Sequence, residues 1–273
     1  MDGELDLRKV TVTHLLVHAM EPTEGRKVIS VMWPGFVGTL SGVDELGNSI
    51  MINAGRYTSN YAPGPFPSGT PTEWIIVDVL RNMPAALFSQ PSSAEAWILE
   101  QYKGVGGGVS PGGGIFFVLS NVVNNSLGWV YESDRFGGIT RTERDVYPKL
   151  DNMVLASNHF HLYGAGHDPE TGETITNFGQ SPSFSSRLRY AAPAFKIMSW
   201  ATSPSKTTIP NKQVTEPDIK ELLQLVCNQE TEHSIIWQPP TMTISIAPAS
   251  ITADPWNAPF MPWCSVPFVD FFQ

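Results

Sequence analysis

Charge is scarce in this chain of 273 residues: Asp, Glu, Lys and Arg together make up 16%. Seventeen basic residues face 26 acidic ones, the net charge is −9, and Lys and Arg never form a run. Nucleic acid and anionic membrane surfaces are bound through clustered cations, so neither is expected as a main partner. Long apolar runs are missing as well. No stretch approaches the roughly 20 residues that a membrane-spanning helix needs, so no transmembrane segment is expected. The opening MDGELDLRKV is polar and has no hydrophobic signal core, so it reads as mid-domain sequence. Cysteine is limited to Cys227 and Cys264. They form no metal-cluster signature, and their spacing leaves open whether they pair. G-x-S-x-G occurs at Gly108 to Gly112, but ahead of a strand and not at the strand-to-helix turn of a serine-hydrolase elbow, so a serine hydrolase is not expected.

Two conspicuous features carry less than they suggest. GVGGGVSPGGG (residues 104–114) lacks the Gly-Lys-Ser/Thr ending of a phosphate loop and precedes a strand where such a loop precedes a helix. It reads as a flexible linker. His159 and His161, with His167 and Asp168 nearby, would share an ion only with a third ligand from a glycine-bearing loop. They read as solvated loop histidines, and neither a metal nor another cofactor is expected. The triplet Asn124-Asn125-Ser126 is a glycosylation sequon. It permits a secretory or lysosomal route and leaves the compartment open.

What is present belongs to a folded protein, with 41% apolar residues. VTVTHLLVHAM, from Val10, reads as a strand buried on both faces. Lys27 to Trp33 and Phe36 to Val43 follow as neighbouring strands. The turn at 45–48 leads into SIMIN, which ends at Asn53. EWIIVDVLRNM reads as a buried helix, and Ser92 to Glu95 as a capping box opening a second one through Tyr102. Strands resume at Ile115 to Ser120, Leu127 to Ser133 and Asn152 to Ser157. A long polar loop, Phe160 to Phe184, has the length of a functional lid. A helix from Ser186 to Trp200, kinked near Pro193, precedes one capped by Thr215 that runs to about Val226. HSIIWQP and TMTISIA make a final hairpin before a Pro- and Trp-rich tail. With no repeat and no boundary, residues 1–273 are expected to form a single α+β domain.

Four segments, in order, carry a resemblance. VISVMWPGFVGTLSGVDELGNSIMIN (Val28 to Asn53) resembles the strand pair that follows the nucleophile strand in acid ceramidase and in the penicillin acyltransferase, or peptidase C45-like, family. LASNHF (Leu155 to Phe160) is similar to that family's Thr-Asn-His-Phe strand end. SSRLRY (Ser185 to Tyr190) is similar to its Ser-Ser-x-Arg-x-Arg helix start, and EHSIIWQPPTMTISIA to its late hairpin. The wider grouping is the N-terminal-nucleophile (Ntn) hydrolases, which include the choloylglycine hydrolases. The resemblance implies an αββα sandwich of two mainly antiparallel sheets flanked by helices. It also implies an amidohydrolase or acyltransferase that cleaves an N-acyl amide through an acyl-enzyme on an N-terminal Cys.

The same resemblance implies site residues. Asn158 and Asn53, each at a strand end, would donate hydrogen bonds to the oxyanion, Asp6 would hold the nucleophile, and Arg187 would orient the substrate or the thiolate. Asn53, Asn158 and Arg187 are expected to converge on one cleft, with Asp6 at its mouth. Taken by themselves, a strand-end Asn is a turn residue and a helix-start Arg a partner for a carboxylate. The chain departs from the pattern at its beginning: Gly3 stands at the family's Arg position, and the Cys would lie upstream of Met1. Ala54 replaces an acidic residue that some members carry. Two readings follow. One is an enzyme acting on a small N-acylated molecule, its nucleophile strand in a missing N-terminal segment or subunit. The other is a catalytically inactive domain of the same fold that binds a ligand or partner.

Overall fold

The computed structural model describes residues 15–54, 71–102, 114–119, 128–134, 137–142, 145, 153–158, 161–162, 166–167, 174–175, 184–200, 214–227, 231, 233–250 and 257–273. Within it β2 (Val28–Met32) is buried at all five positions. Alternation splits the strand between two cores: Val28 faces one apolar cluster, and Ile29 and Val31 face another. β1 (Leu16–Met20), β3 (Ser41–Asp44) and β4 (Ser49–Ala54) extend the sheet around it. β5 (Gly114–Leu119), β6 (Gly128–Asp134) and β7 (Gly137–Arg141) complete a seven-stranded order, β1 to β7, with every pairing antiparallel.

The strand buried on both faces is therefore β2, not the one expected from Val10. β1 stands at one edge of the described sheet and is partly exposed along its length. A continuous apolar run does not tell a central strand from an edge strand. The expected neighbours β2 and β3 do pair, but β3 starts at Ser41 instead of Phe36. Gly35 (φ +81°) and Gly38 (φ +130°) break the strand just before it. A Cβ on Gly38 would lie 2.5 Å from the Glu73 Cβ, so only glycine permits that approach. The Thr39 N–H donates to the Glu73 carbonyl at 3.0 Å, docking this turn on the helix that follows.

That helix is α1 (Thr72–Asn82), and α2 (Pro91–Gln101) comes after it. Ile75, Ile76, Val79 and Leu80 share the inner stripe of α1 and meet Val28, Ile50, Trp129 and Tyr131 of the sheet. Trp129 Nε1 donates to the Phe88 carbonyl at 2.7 Å. The capping box expected at Ser92 to Glu95 does not form. α2 begins at Pro91, where a proline suits the first turn, and the Glu95 carboxylate accepts the Thr140 N–H of β7 at 2.7 Å instead. The helix ends at Gln101, with Tyr102 as its C-cap.

On the other side of the sheet, β10 (His233–Gln238) and β11 (Thr243–Pro248) form the expected hairpin. The tail adds a third strand, β12 (Cys264–Pro267), that the sequence had not revealed. Trp237, Ile244, Ile246 and Phe268 fill the space against Ile29, Val31 and Val43. Trp237 Nε1 ties the two sheets through the Gly47 carbonyl at 2.9 Å. Gly47 belongs to the turn after β3, which Asp44 organises by accepting the N–H groups of Leu46 and Asn48 at 3.0 and 2.8 Å. Burial raises the pKa of that carboxyl, against the pull of Asn48 and Arg26.

α3 (Phe184–Ser199) continues through Pro193, and α4 (Glu216–Val226) opens where Asp218 accepts both the N–H and the hydroxyl of Thr215, at 2.9 and 2.7 Å. Ile197 and Leu222 pack these helices together beside β10. The described layers thus run helices, sheet, sheet, helices, an α+β sandwich of the expected αββα type.

Residues 153–157 were expected to be a strand and are not one. Side chains take the place of a neighbouring strand there: Arg141 takes the Leu155 carbonyl and Ser186 takes the Asn158 N–H. The short, glycine-led β7 gave no strand signal of its own. Of the loop at 160–184 the structure describes few residues, among them the two-residue strands β8 (Gly166–His167) and β9 (Thr174–Ile175). Its role as a lid, like the linker at 104–113, falls outside the described residues. No described helix is long and apolar enough to cross a membrane.

Candidate functional site

Strand alternation points Ile50 and Ile52 at the helical core. Met51 and Asn53 therefore project from the opposite face of β4, toward the second sheet. Register carries Asn53 across the sheet to Ile115 and then to Glu132. At that face opens a cavity of about 400 Å³. Its polar lining includes Asn53, Ser157, Arg189, Cys227 and His233, and Leu223, Val226 and Ile235 supply an apolar wall.

Asn158 stands beside this cleft. Its N–H donates to Ser186 Oγ at 3.0 Å, which sets the end of the 153–158 segment against the first turns of α3. Its carboxamide oxygen accepts a hydrogen bond from Arg189 Nη1. A guanidinium only donates, so the oxygen must be the atom facing Arg189, and the NH2 end is the donor end. Asn53 thus lines the cleft directly, and Asn158, far away in sequence, is tied to it through Arg189.

Arg187 is placed differently. It lies on the exposed side of α3 and is not among the described cleft-lining residues. Two residues along a helix are a rotation of about 200°, so Arg187 and Arg189 cannot both face inward. The inward one is Arg189. The pair stood in the quoted SSRLRY motif, and only packing distinguishes them. Asp6 and His159 lie outside the described residues. His161 is held by its backbone and lays its ring on Tyr190, with centroids 4.3 Å apart. Among the described residues no group of His, Cys, Asp and Glu could hold a metal ion.

Both cysteines are free thiols. Cys264 is exposed on β12, away from the lining. Cys227, the C-cap of α4, lines the cleft and gives its S–H to the Gln224 carbonyl. Burial raises its pKa, so the protonated thiol dominates at neutral pH. His233 is a lining residue that sequence reasoning passed over, although it opens the quoted HSIIWQP strand. Burial pushes its imidazole down to about 4. Its Nδ1 is buried with no hydrogen-bond partner among the described residues, and its ring meets Trp33 edge-on at 6.4 Å.

No family model and no curated protein matches the chain. Solved structures do. One is an N-acylethanolamine-hydrolyzing acid amidase ortholog from Caenorhabditis elegans, at 14% identity and a TM-score of 0.48, covering 96% of this chain and 91% of that one. Another is a mutant of the conjugated bile acid hydrolase from Clostridium perfringens, at 11% identity and a TM-score of 0.46, covering 91% and 83%.

Proposed function

We propose that the cleft between the two sheets binds a small N-acylated molecule and stabilises the oxyanion of its amide carbonyl, as part of an amidohydrolase or acyltransferase site. The observation that carries this reading is the linkage of Asn53, Arg189 and Asn158 around one cavity with an apolar wall. The acyl chain lies against Leu223, Val226 and Ile235. Asn158 and Asn53 offer their NH2 groups to the carbonyl oxygen, and each such donor is worth about 3 kcal/mol of barrier in comparable sites. Arg189 orients the Asn158 carboxamide.

In this proposal the thiolate of an N-terminal cysteine attacks the carbonyl carbon and pushes charge onto the oxygen. The C–N bond breaks as the α-ammonium group of that cysteine protonates the leaving amine. Water then hydrolyses the thioester, or a second amine takes the acyl group. By the family resemblance Asp6 would hold that thiolate. Neither metal nor cofactor takes part.

A second reading, a binding module without chemistry, is favoured by one observation. The thiol that lines the described cleft, Cys227, is kept protonated and tied to Gln224.

A fluorogenic long-chain N-acyl amide separates the two. The chain is expected to bind it, and Asn158→Ala to weaken binding about tenfold, near the value of one good hydrogen bond. The chain is expected to show no turnover that depends on Cys227 or Cys264. Extension through the coding sequence upstream of Met1 restores turnover in the enzyme reading and leaves binding alone in the other. Robust turnover abolished by Cys227→Ala would move the nucleophile to that residue, and failure to bind the amide would end both readings.

A further inference from the structure

Strands β6 and β7 place an ion pair inside the protein on the face that carries Asn53. Arg141 Nε donates to Glu132 Oε1 at 2.6 Å, and both side chains are fully buried. A buried pair is seldom more stabilising than apolar side chains of the same volume. Its presence calls for a reason beyond stability, and its other hydrogen bonds supply one. Glu132 Oε2 accepts the His161 and Leu162 N–H groups at 2.9 and 2.8 Å. Arg141 Nη2 donates to the Leu155 carbonyl at 2.8 Å. The two ends of one pair therefore grip the chain three residues before Asn158 and again three and four residues after it. No strand ladder holds residues 153–158, so these bonds stand where a ladder would.

We propose that the Glu132–Arg141 pair is the positioning device of the cleft, fixing where the Asn158 carboxamide stands relative to Asn53. Both anchors belong to one rigid frame: Asn53, Ile115 and Glu132 are in register on three adjacent strands. Two strand spacings put the Asn53 and Glu132 backbones about 10 Å apart. A segment gripped by the sheet on both sides of Asn158 keeps its donor within the tolerance that oxyanion chemistry needs. The inference deepens the proposed function and rests on it for the role of Asn158. Glu132 and Arg141 touch no substrate in this scheme. They act through Asn158.

The test uses the full chain, Glu132→Gln, and the double variant Glu132→Leu/Arg141→Met. Three quantities are read beside the thermal midpoint: amide exchange at His161 and Leu162, the side-chain NH2 resonance of Asn158 in asparagine-labelled protein, and affinity for the fluorogenic N-acyl amide. Glu132→Gln is expected to speed exchange at the two amides about tenfold or more and to shift the Asn158 resonance. It should also weaken the probe about as much as Asn158→Ala does, with no further loss when the two are combined. The apolar double variant should recover the midpoint without recovering protection, resonance or affinity, because it restores packing but no grip on the chain. Unchanged protection and resonance in both variants would overturn the proposal. So would affinity that returns together with the midpoint in the double variant. If the wild-type chain does not bind the amide, the functional reading falls, while the exchange and resonance measurements still decide whether the pair holds the Asn158 segment.

Discussion

Strand β6 displays both faces of the large sheet within four residues. Trp129 and Tyr131 turn toward α1 and α2, into a core completed by Ile76, Leu80 and Phe88. Val130 and Glu132 turn the other way, and there a buried carboxylate meets a buried guanidinium and three backbone groups of the Asn158 segment. The first face is held by apolar area and packing, which tolerate any side chains of suitable volume. The second, beside the Asn158 segment, is held by directed polar bonds, each of which needs a specific partner at a specific distance. A face built in the second way gives up stability for placement, as a site requires.

The sharpest way to break this contrast is to remove one half of the polar arrangement. Glu132→Ala strands the Arg141 charge in the interior and is expected to cost about 4 kcal/mol in urea unfolding. Ile76→Ala, on the helix-covered face, should cost about 3 kcal/mol through its cavity and leave affinity for the amide probe unchanged. A helix-side truncation that abolished probe binding would show that the faces are not independent.

Acid should weaken the cleft-side face next. His233 is neutral in the folded protein down to about pH 4, whereas an unfolded imidazole titrates near 6.5. Above pH 6.5 both states bind no proton there and the group contributes no pH dependence. As pH falls from 6.5 toward 4 the unfolded state takes up a proton that the folded state refuses. Stability drops along that interval by up to about 3 kcal/mol. His233→Phe should flatten this part of the urea-stability profile, and a slope that survives the substitution would assign the effect elsewhere.

Smaller effects sharpen the comparison further. Arg189→Ala is expected to cost roughly 1 kcal/mol in stability, the scale of one partly buried hydrogen bond, yet to weaken the probe more than Arg187→Ala does. Equal losses from the two would remove the distinction that the orientation of α3 makes between them. Cys264→Ser, on an exposed edge, should alter unfolding by less than about 0.5 kcal/mol and leave binding as it is.

Much of the fold was legible in the residues. The apolar stripe of α1, the β2–β3 and β10–β11 neighbours and the Thr215 cap all follow from local periodicity and capping chemistry. The failures are local rules overridden by tertiary contact. Ser92 to Glu95 has the pattern of a capping box, but Glu95 was claimed by β7. Residues 152–157 have strand composition, but side chains satisfy part of their backbone. Of the candidate site, Asn53 and Asn158 were named through the resemblance alone; Asn53 lines the cleft, and Arg189, another lining residue, bonds the Asn158 carboxamide. His233 and the Glu132–Arg141 pair carried no signal, because an alternating strand looks the same whether its polar positions face solvent or a cleft.

By itself the sequence determined the alternation of strands, the amphipathic helices and hence the α+β class, since each of these depends on residues within one or two turns of chain. Which arginine of SSRLRY faces inward, which strand is buried on both faces, and that Glu132 and Arg141 bracket Asn158 were decided only by tertiary structure. Those facts depend on register between strands and on the rotation of a helix about its axis, quantities that no local stretch of residues contains.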